Sequence, residues 1–457
     1  MPLVCCVDVG STYTKAAAVD VDSGVLVATA SAPTTIATDV LDGVRQATAE
    51  LGVRTDAVLA CSSAGGGLRL AGGGYERVVT AEAGARVGLS AGARVVHVAA
   101  GRLDAGSTAA LVGSRPDVLL VVGGTDGGNA EVLRHNAGQL AAEGPRVPVV
   151  VAGNADATAE VAADLRAAGL PVLSAANVLP RIGVLDPQPA RQAIREVFIR
   201  HVIGGKHLSR SPEFAALVRA ATPDAVLAGV ELLADGSPAD GVPGAGDVLV
   251  VDVGGATTDV YSAVTPDPEE AGLHREVVEP MWRGRTVEGD LGVRWSAPGV
   301  IAAAVAERLL DPADSEPLRA EAERRAADPG LVPVDAPGRR TDARLARLAL
   351  TVALRRHARP QTEGEVRTPG KDLRQVRLVV GSGGVLRHAG PDAVRAVLAP
   401  AVSDHAGGWR VPEHAALAVD ARYVLAAAGL LADEHRLAAA RLLAGSLVPL
   451  AAGADAP

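Results

Sequence analysis

The hydrophobic pattern of the chain is built around three short apolar runs, each of which ends at glycine. Residues 248–253 form a β-branched run that predicts a buried strand, and the run contains Asp252, a carboxylate that is costly to bury without a partner. Residues 3–9 repeat this pattern with Asp8, and residues 378–380 repeat it without an acid. Each run therefore predicts a strand that carries a glycine loop to the edge of a sheet.

The two acid-containing runs continue into loops of glycine and hydroxyl residues. These loops read D-V-G-S-T-Y-T-K at residues 8–15 and D-V-G-G-A-T-T-D at residues 252–259. Glycine lets the backbone approach an anion, and hydroxyls and carboxylates suit phosphate oxygens and a hydrated cation. A single D-x-G is a weak signal, because most are ordinary turns. Two copies 244 residues apart predict two like subdomains that face each other across a nucleotide.

The remaining pattern is that of an α/β protein. Residues 1–35 predict a β-meander, and residues 117–185 alternate strands and helices in the manner of a parallel sheet. Within that segment, the glycine loop at residues 123–129 lacks the G-x-G-x-x-G fingerprint of a dinucleotide site. Whether the segment binds a ligand, a partner or neither stays open. Residues 72–74, three glycines, predict a plain turn.

These patterns divide the chain into two halves with an insertion. The predicted parts are the first lobe at 1–116, an inserted α/β module at 117–185, the continuation of the first lobe and a linker at 186–245, and a second lobe at 246–457, which holds a small helical lid subdomain at about 296–375 and a closing helix at 415–431.

Composition narrows the class of protein. Hydrophobic residues make up 48% of the 457 residues and aromatic residues only 2%, so the cores must be built from Ala, Val and Leu. The net charge of −9 argues against a dedicated nucleic-acid binder. No apolar run is long enough to span a bilayer, and no signal peptide precedes the first strand. We expect a cytoplasmic protein with no nucleic-acid or membrane partner.

Cysteine and histidine usage gives no metal-binding pattern. The three cysteines form no C-x-x-C pair. Cys5 and Cys6 are expected to serve as small apolar residues of the first strand. The ten histidines show no H-E-x-x-H spacing. A transition metal bound by the protein is therefore not expected.

The three glycine loops resemble the phosphate-1, phosphate-2 and adenosine motifs of the actin, Hsp70 and sugar-kinase superfamily, in the same order. G-D-L-G at residues 289–292 resembles a shortened form of a further Hsp70 stretch. Within the superfamily, R-T-V-E-G-D-L-G (285–292), G-G-T-D-G-G-N (123–129) and C-S-S-A-G-G-G-L-R (61–69) resemble the glutamate-mutase-associated MutL or GlmL family over nearly the whole chain. That family is unrelated to the DNA mismatch-repair ATPase of the same name.

The superfamily resemblance implies two actin-like, ribonuclease H-like lobes around a nucleotide cleft, with ATP or ADP and Mg²⁺ as cofactors. It implies that Asp8 and Asp252 are the catalytic carboxylates and hold magnesium through water. For Lys15, a phosphate contact and an exposed strand-edge position both stay open. The implied nucleotide contacts are Gly10, Ser11, Thr12, Tyr13, Thr14 and Lys15, then Gly254, Gly255, Thr257, Thr258 and Asp259, then Gly381, Ser382, Gly383 and Gly384.

The family resemblance implies an ATP-binding accessory or reactivating factor, a slow chaperone-like ATPase whose partner is a coenzyme-B12-dependent mutase such as glutamate mutase or an aminomutase. A small-molecule kinase and an actin-like scaffolding ATPase use the same fold and stay open as alternatives, as does a homodimer. Glu288 and Asp290 suit either the water shell of the metal or a helix cap. No motif identifies the group that would activate the attacking water or hydroxyl.

Overall fold

A computed structural model gives the structure of the chain. It describes residues 1–64, 68–74, 84, 87–88, 91, 93–203, 208–265, 283–363, 366–368, 370–406 and 408–451. Residues 65–67, the glycines of the C-S-S-A-G-G-G-L-R motif, lie outside the described residues.

The described strands are short and follow the apolar runs of the sequence. In chain order they are β1 (Leu3–Val9), β2 (Tyr13–Asp20), β3 (Val25–Pro33), β4 (Ala57–Ser62), β5 (Arg69–Gly74), β6 (Arg94–Ala100), β7 (Val118–Val121), β8 (Val149–Val151), β9 (Val172–Ser174), β10 (Val218–Ala221), β11 (Gly236–Ser237), β12 (Val242–Pro243), β13 (Val248–Val253), β14 (Thr258–Ala263), β15 (Arg283–Glu288), β16 (Gln361–Glu363), β17 (Val366–Thr368), β18 (Leu378–Ser382), β19 (Ala416–Val419) and β20 (Val448–Leu450).

The described α-helices connect these strands. They are α1 (Val40–Glu50), α2 (Ala105–Gly113), α3 (Glu131–Glu143), α4 (Ala155–Ala167), α5 (Gln188–Val197), α6 (Pro212–Leu217), α7 (Thr222–Asp235), α8 (Ala297–Ala306), α9 (Glu316–Ala327), α10 (Ala336–Ala358), α11 (Gly384–Arg387), α12 (Pro391–Val402), α13 (Val424–Leu431) and α14 (Arg436–Ser446). A π-helical turn (Phe198–Ile203) extends α5. No described helix combines the length and the apolar character that a membrane crossing needs.

Two of the sheets have the same strand order. The first sheet runs β3-β2-β1-β4-β10, and the second runs β15-β14-β13-β18-β19 with β20 added at its edge. In the first sheet, the central strand β1 is antiparallel to β2 and parallel to β4. In the second sheet, β13 is likewise antiparallel to β14 and parallel to β18. The strand order of a ribonuclease H-like lobe thus occurs twice, which confirms the predicted α/β fold of two actin-like lobes.

The two lobes share one apolar core. Val4 and Cys6 of β1 lie in the same buried cluster as Val248 and Val250 of β13, together with residues of α7 and α13. Helices α7 and α13 each follow the fifth strand of their lobe. They cross where each has a glycine, because a Cβ on Gly429 would lie 1.8 Å from a carbonyl oxygen of α7, and a Cβ on Gly229 would lie 2.2 Å from one of α13.

A third sheet is wholly parallel and contains the predicted inserted module. Its strand order is β6-β5-β7-β8-β9. The boundary predicted at residue 117 lies inside this sheet, because the earlier strands β5 and β6 pair with the later ones. The predicted turn at residues 72–74 is wrong, since these glycines are part of β5 between two neighbouring strands. Tertiary pairing overrides the low strand propensity of glycine here.

The predicted closing helix at residues 415–431 is corrected to a strand followed by a shorter helix. β19 occupies the first part of this stretch and α13 begins at Val424. The two elements are separated because Asp420 accepts hydrogen bonds from the backbone N–H groups of Val424 (2.8 Å) and Leu425 (3.2 Å), and because Tyr423 has a left-handed backbone with φ of 61°. In the predicted lid region, α8, α9 and α10 are followed by the β16–β17 hairpin.

Candidate functional site

The two predicted phosphate loops are equivalent hairpin turns, which we call the first clamp (residues 8–15) and the second clamp (residues 252–259). In the first clamp the backbone N–H of Gly10 donates to the carbonyl of Tyr13 over 3.2 Å. In the second, the N–H of Gly254 donates to the carbonyl of Thr257 over 2.8 Å. A Cβ on Gly10 would lie 2.8 Å from the Tyr13 oxygen, and one on Gly254 would lie 2.9 Å from the Thr257 oxygen. Both turns therefore need glycine at this position.

The carboxylate of the first clamp, Asp8, is buried and well supplied with partners. The hydroxyl of Thr222, at the start of α7, donates to Asp8 Oδ1 over 2.6 Å. The thiol of Cys61 lies 3.7 Å from the same oxygen. Lys15 is the cross-strand neighbour of Asp8, and its Nζ lies 3.5 Å from Asp8 Oδ2. The charge of this buried acid is thus neutralised within its own hairpin.

The carboxylate of the second clamp, Asp252, has an acid as its cross-strand neighbour. That neighbour is Asp259, and Ser382 of β18 lies beside Asp252 on the other side. Burial raises the pKa of Asp252 to about 6, an effect that Lys15 opposes and Asp259 reinforces. A carboxyl group with this pKa exchanges its proton near neutral pH, unlike an ordinary aspartate.

A buried arginine neutralises the second acid. Arg285 of β15 forms an ion pair with Asp259, with a distance of 2.8 Å from Nε to Oδ1. The hydroxyl of Thr257 donates to the other oxygen of Asp259 over 3.0 Å. The strand next to the hairpin therefore supplies the cation that the second hairpin lacks.

Tyr423 connects the two clamps. The Nζ of Lys15 lies 3.4 Å from the centroid of the Tyr423 ring, and the phenol donates to Asp252 Oδ2 over 3.1 Å. Burial raises the pKa of Tyr423 well above its ordinary value, so the phenol keeps its proton and remains a donor. The guanidinium of Arg387 lies 5.5 Å from the same ring centroid. The two predicted catalytic acids are in this way joined through Lys15 and Tyr423.

The other predicted nucleotide contacts differ in exposure. Gly10, Gly254, Gly255 and Thr257 are partly buried, and the exposed ones are Ser11, Thr12, Tyr13 and Gly384. Thr14 and Thr258 are fully buried, and their hydroxyls bond to the hydroxyl of Thr34 and the carbonyl of Leu291. Gly381, Ser382 and Gly383 are buried at the end of β18. The contacts of these residues with a nucleotide stay predictions, and for the buried threonines they conflict with the observed hydroxyl partners.

Glu288 and Asp290 have a common partner that the sequence did not indicate. Arg356 of α10 donates to Glu288 Oε2 over 2.7 Å, and to the two oxygens of Asp290 over 2.7 and 2.9 Å. The two acids therefore connect β15 to the longest lid helix in this structure.

The donor set of the clamps fits a hydrated magnesium ion and phosphate groups. Mg²⁺ prefers oxygen ligands and keeps several of its waters, so two carboxylates and nearby hydroxyls are a suitable set. Within the described residues, no group of three or more His, Cys, Asp or Glu side chains is placed to hold an ion directly.

Four residues that shape the site were missed by sequence reasoning: Thr222, Arg285, Arg387 and Tyr423. T-P-D at residues 222–224 is a typical start of a helix, so the beginning of α7 could have been predicted from it. Nothing in the local pattern connects that helix to Asp8, which lies 214 residues earlier in the chain.

Residues 4–447 match the MutL protein family. The chain belongs to this family. It is 36% identical over 459 residues to "Protein MutL" of Clostridium tetanomorphum, an alignment that covers 96% of this chain and 98% of the relative. The MutL family in question is the glutamate-mutase-associated one expected from the motifs, and not the mismatch-repair family.

Solved structures that share features of this MutL-family chain are distant. The nucleotide-free structure of acetone carboxylase has a TM-score of 0.38 at 16% identity, and covers 94% of this chain and 70% of its own. Component A of (R)-2-hydroxyglutaryl-CoA dehydratase from Acidaminococcus fermentans has a TM-score of 0.29 at 10% identity, with 97% of each chain covered. Xylulose kinase from Bifidobacterium adolescentis has a TM-score of 0.31 at 12% identity, with 98% of this chain and 94% of its own covered.

Proposed function

We propose that this protein binds Mg·ATP in the cleft between its lobes and acts as an ATP-driven accessory factor that reactivates a coenzyme-B12-dependent mutase, such as glutamate mutase or an aminomutase. The observation that carries nucleotide binding is the pair of equivalent clamps, whose acids Asp8 and Asp252 are joined through Lys15 and Tyr423. Membership of the glutamate-mutase-associated family supports the choice of partner.

The residues of the clamps have separate tasks in this proposal. Asp8 and Asp252 hold the metal ion through its waters, and the ion, when bound, supplies positive charge to the phosphate oxygens. The N–H groups of Gly10 and Gly254 close the turns themselves, so the groups presented to phosphate oxygens are the backbone N–H groups of the next residues, Ser11 and Gly255, and the exposed hydroxyls of Ser11 and Thr12. Lys15 lies between the two acids, where an ammonium group can reach either a carboxylate or a phosphate.

ATP hydrolysis is useful to such a factor only if the two nucleotide states differ in affinity for the partner. The lobes share a core around α7 and α13, so a change at the clamps can alter the angle between them. Equal affinity of the ATP and ADP states for the mutase would shift no equilibrium.

Nucleotide binding is tested by calorimetry with Mg·ATP. We expect Asp8→Ala and Asp252→Ala each to weaken metal-dependent binding at least about tenfold, or roughly 1.4 kcal/mol. Asp42→Ala is the matched control, because its side chain is 60% exposed on α1 and belongs to neither clamp. Wild-type protein that is folded but binds no ATP would contradict the proposal.

The accessory role is tested by recovery of an inactivated mutase. The mutase is inactivated with damaged cofactor, and its activity is followed after addition of fresh coenzyme, this protein and ATP. We expect recovery with wild-type protein and ATP, and none with Asp252→Ala. Recovery that is independent of nucleotide and of the substitution would reject this role, and rapid phosphorylation of a small metabolite would favour the kinase alternative.

A further inference from the structure

A small cavity lies on the first-lobe side of Tyr423, between the strands β1 to β3 and helix α13. Its charged lining residues are three cations, Lys15, Arg387 and Arg422, and a single acid, Asp8. The acid is already neutralised by Lys15 and bonded by the hydroxyl of Thr222. The remaining charge of the cavity is therefore positive.

Neither arginine of the cavity has a hydrogen-bonded acceptor among the described residues. The Nε of Arg387 is buried and has no hydrogen-bond partner. Among the residues that the structure describes, neither Arg387 nor Arg422 has a side-chain hydrogen bond or a salt bridge, although the guanidinium of Arg387 lies 5.5 Å from the ring centroid of Tyr423. Leaving a buried donor unsatisfied is costly, and a charged donor more so. An anion in the cavity would satisfy these groups.

A second cavity on the other side of Tyr423 has the opposite character. It is lined by the acids Asp252 and Asp420 and by Ser382, and no cation lines it. Tyr423 and Ala426 line both cavities. An anion that leaves the nucleotide cleft would therefore be repelled on the second-lobe side and attracted on the first-lobe side of the same tyrosine.

The first cavity is separate from the turns that are predicted to hold the phosphates of ATP. Residues 10–14 and 254–257 do not line it, whereas Asp8 and Lys15 belong to both the first clamp and the cavity. The cavity thus continues from the acid end of the first clamp, along the strands and away from the turn.

We propose that this cavity binds inorganic phosphate on its way out of the nucleotide cleft, held by Arg387 and Arg422 with Lys15 shared with the first clamp. The inference rests on the proposed ATP hydrolysis for the source of the phosphate. In the observed arrangement the free space is small, so entry of phosphate requires the Tyr423 side chain or the exposed Arg422 to shift. In this proposal the Tyr423 side chain separates the nucleotide cleft from the cavity, and its movement lets phosphate pass from one to the other.

The test is a calorimetric titration of the nucleotide-free, full-length protein with inorganic phosphate. We expect Arg387→Gln to weaken phosphate binding at least about tenfold, because a charge-assisted hydrogen bond is lost, and Arg422→Gln to weaken it less, because Arg422 is exposed. Arg387→Lys should restore part of the affinity. Arg45→Gln is the matched control, since Arg45 is 61% exposed and pairs with Glu213 elsewhere in the first lobe.

The same variants are titrated with Mg·ATP, and we expect a smaller loss of affinity for ATP than for phosphate. Equal losses would assign the arginines to the phosphate subsite of ATP and overturn the separate exit site. Phosphate binding that is absent, or unchanged by both Arg387→Gln and Arg422→Gln, would also overturn it. If phosphate binds in an Arg387-dependent manner while ATP does not bind at all, the anion site stands and the proposed ATPase function fails.

Discussion

The two clamps have the same backbone geometry and differ in the charge of the residue that faces the acid. Both are hairpins with a glycine turn, and in both the acid of the first strand faces a residue of the second strand. That residue is Lys15 in the first clamp and Asp259 in the second. The first hairpin therefore neutralises its own acid, whereas the second concentrates negative charge and depends on Arg285 from a neighbouring strand.

This difference divides the work between the lobes. A self-neutralised pair can place an ammonium group near a phosphate, whereas a pair of acids favours a cation. The raised pKa of Asp252 reflects the same imbalance, since burial and Asp259 both disfavour its charge. Two hairpins of the same geometry thus form two unlike halves of one site, because the residue opposite the acid is Lys15 in one and Asp259 in the other.

Removal of Arg285 tests the dependence of the second clamp on its neighbour. Arg285→Ala leaves a buried acid pair without its cation, and we expect a loss of about 3–5 kcal/mol in the free energy of unfolding, measured by urea denaturation. Arg283→Ala is the matched control on the same strand, because it breaks an ion pair with Asp235 whose side chains are 43% and 41% exposed. Its expected cost is at most about 1 kcal/mol. Equal losses for the two variants would show that the acid pair does not need Arg285.

Removal of Lys15 tests the self-neutralised clamp. Lys15→Met leaves Asp8 with the Thr222 hydroxyl as its remaining strong donor, and we expect a loss of about 1.5–3 kcal/mol in the free energy of unfolding. The loss should be smaller than for Arg285→Ala, because the Lys15 side chain is 25% exposed and water can replace part of its effect. Lys15→Arg should retain most of the stability. A loss as large as that of Arg285→Ala would contradict the contrast between the clamps.

Asp252→Asn should give the smallest effect, and one of opposite sign. The folded state raises the pKa of Asp252 to about 6, so the neutral form is favoured and the charge lowers stability as pH rises. We expect the nucleotide-free variant to be more stable than the wild type at pH 7, by on the order of 1 kcal/mol. The advantage should shrink as pH falls from about 6 to about 4, which thermal denaturation across this range can follow. An advantage that does not depend on pH would have another cause.

The sequence was sufficient for the parts of the site that arise locally. Buried β-branched runs predicted β1 and β13, and the glycine turns after them placed Asp8 and Asp252, because strand and turn preferences act over a few residues. The equivalence of the two lobes followed from the order of these motifs and is seen in the strand orders of the two sheets.

The partners of the two acids could not be predicted, because they come from distant parts of the chain. Tyr423 bonds to Asp252, which lies 171 residues earlier in the chain. Arg285 bonds to Asp259, which lies 26 residues earlier, and this contact depends on how the third strand, β15, pairs with β14. Strand β5 was missed for a related reason, since A-G-G-G has no strand preference of its own and is a strand only between β6 and β7.

The glycine crossing of α7 and α13 has a mechanical consequence. With no side chain between the two backbones at Gly229 and Gly429, the helix backbones come into direct contact at this pair of residues. Such a point acts as a fulcrum, and a rotation about it displaces each atom in proportion to its distance from the axis. The clamps lie at the N-terminal ends of the same two helices, since Thr222, the first residue of α7, donates to Asp8, and Tyr423, the N-cap of α13, donates to Asp252. Small movements at the clamps are therefore magnified at the outer parts of the lobes, where a large partner could sense them.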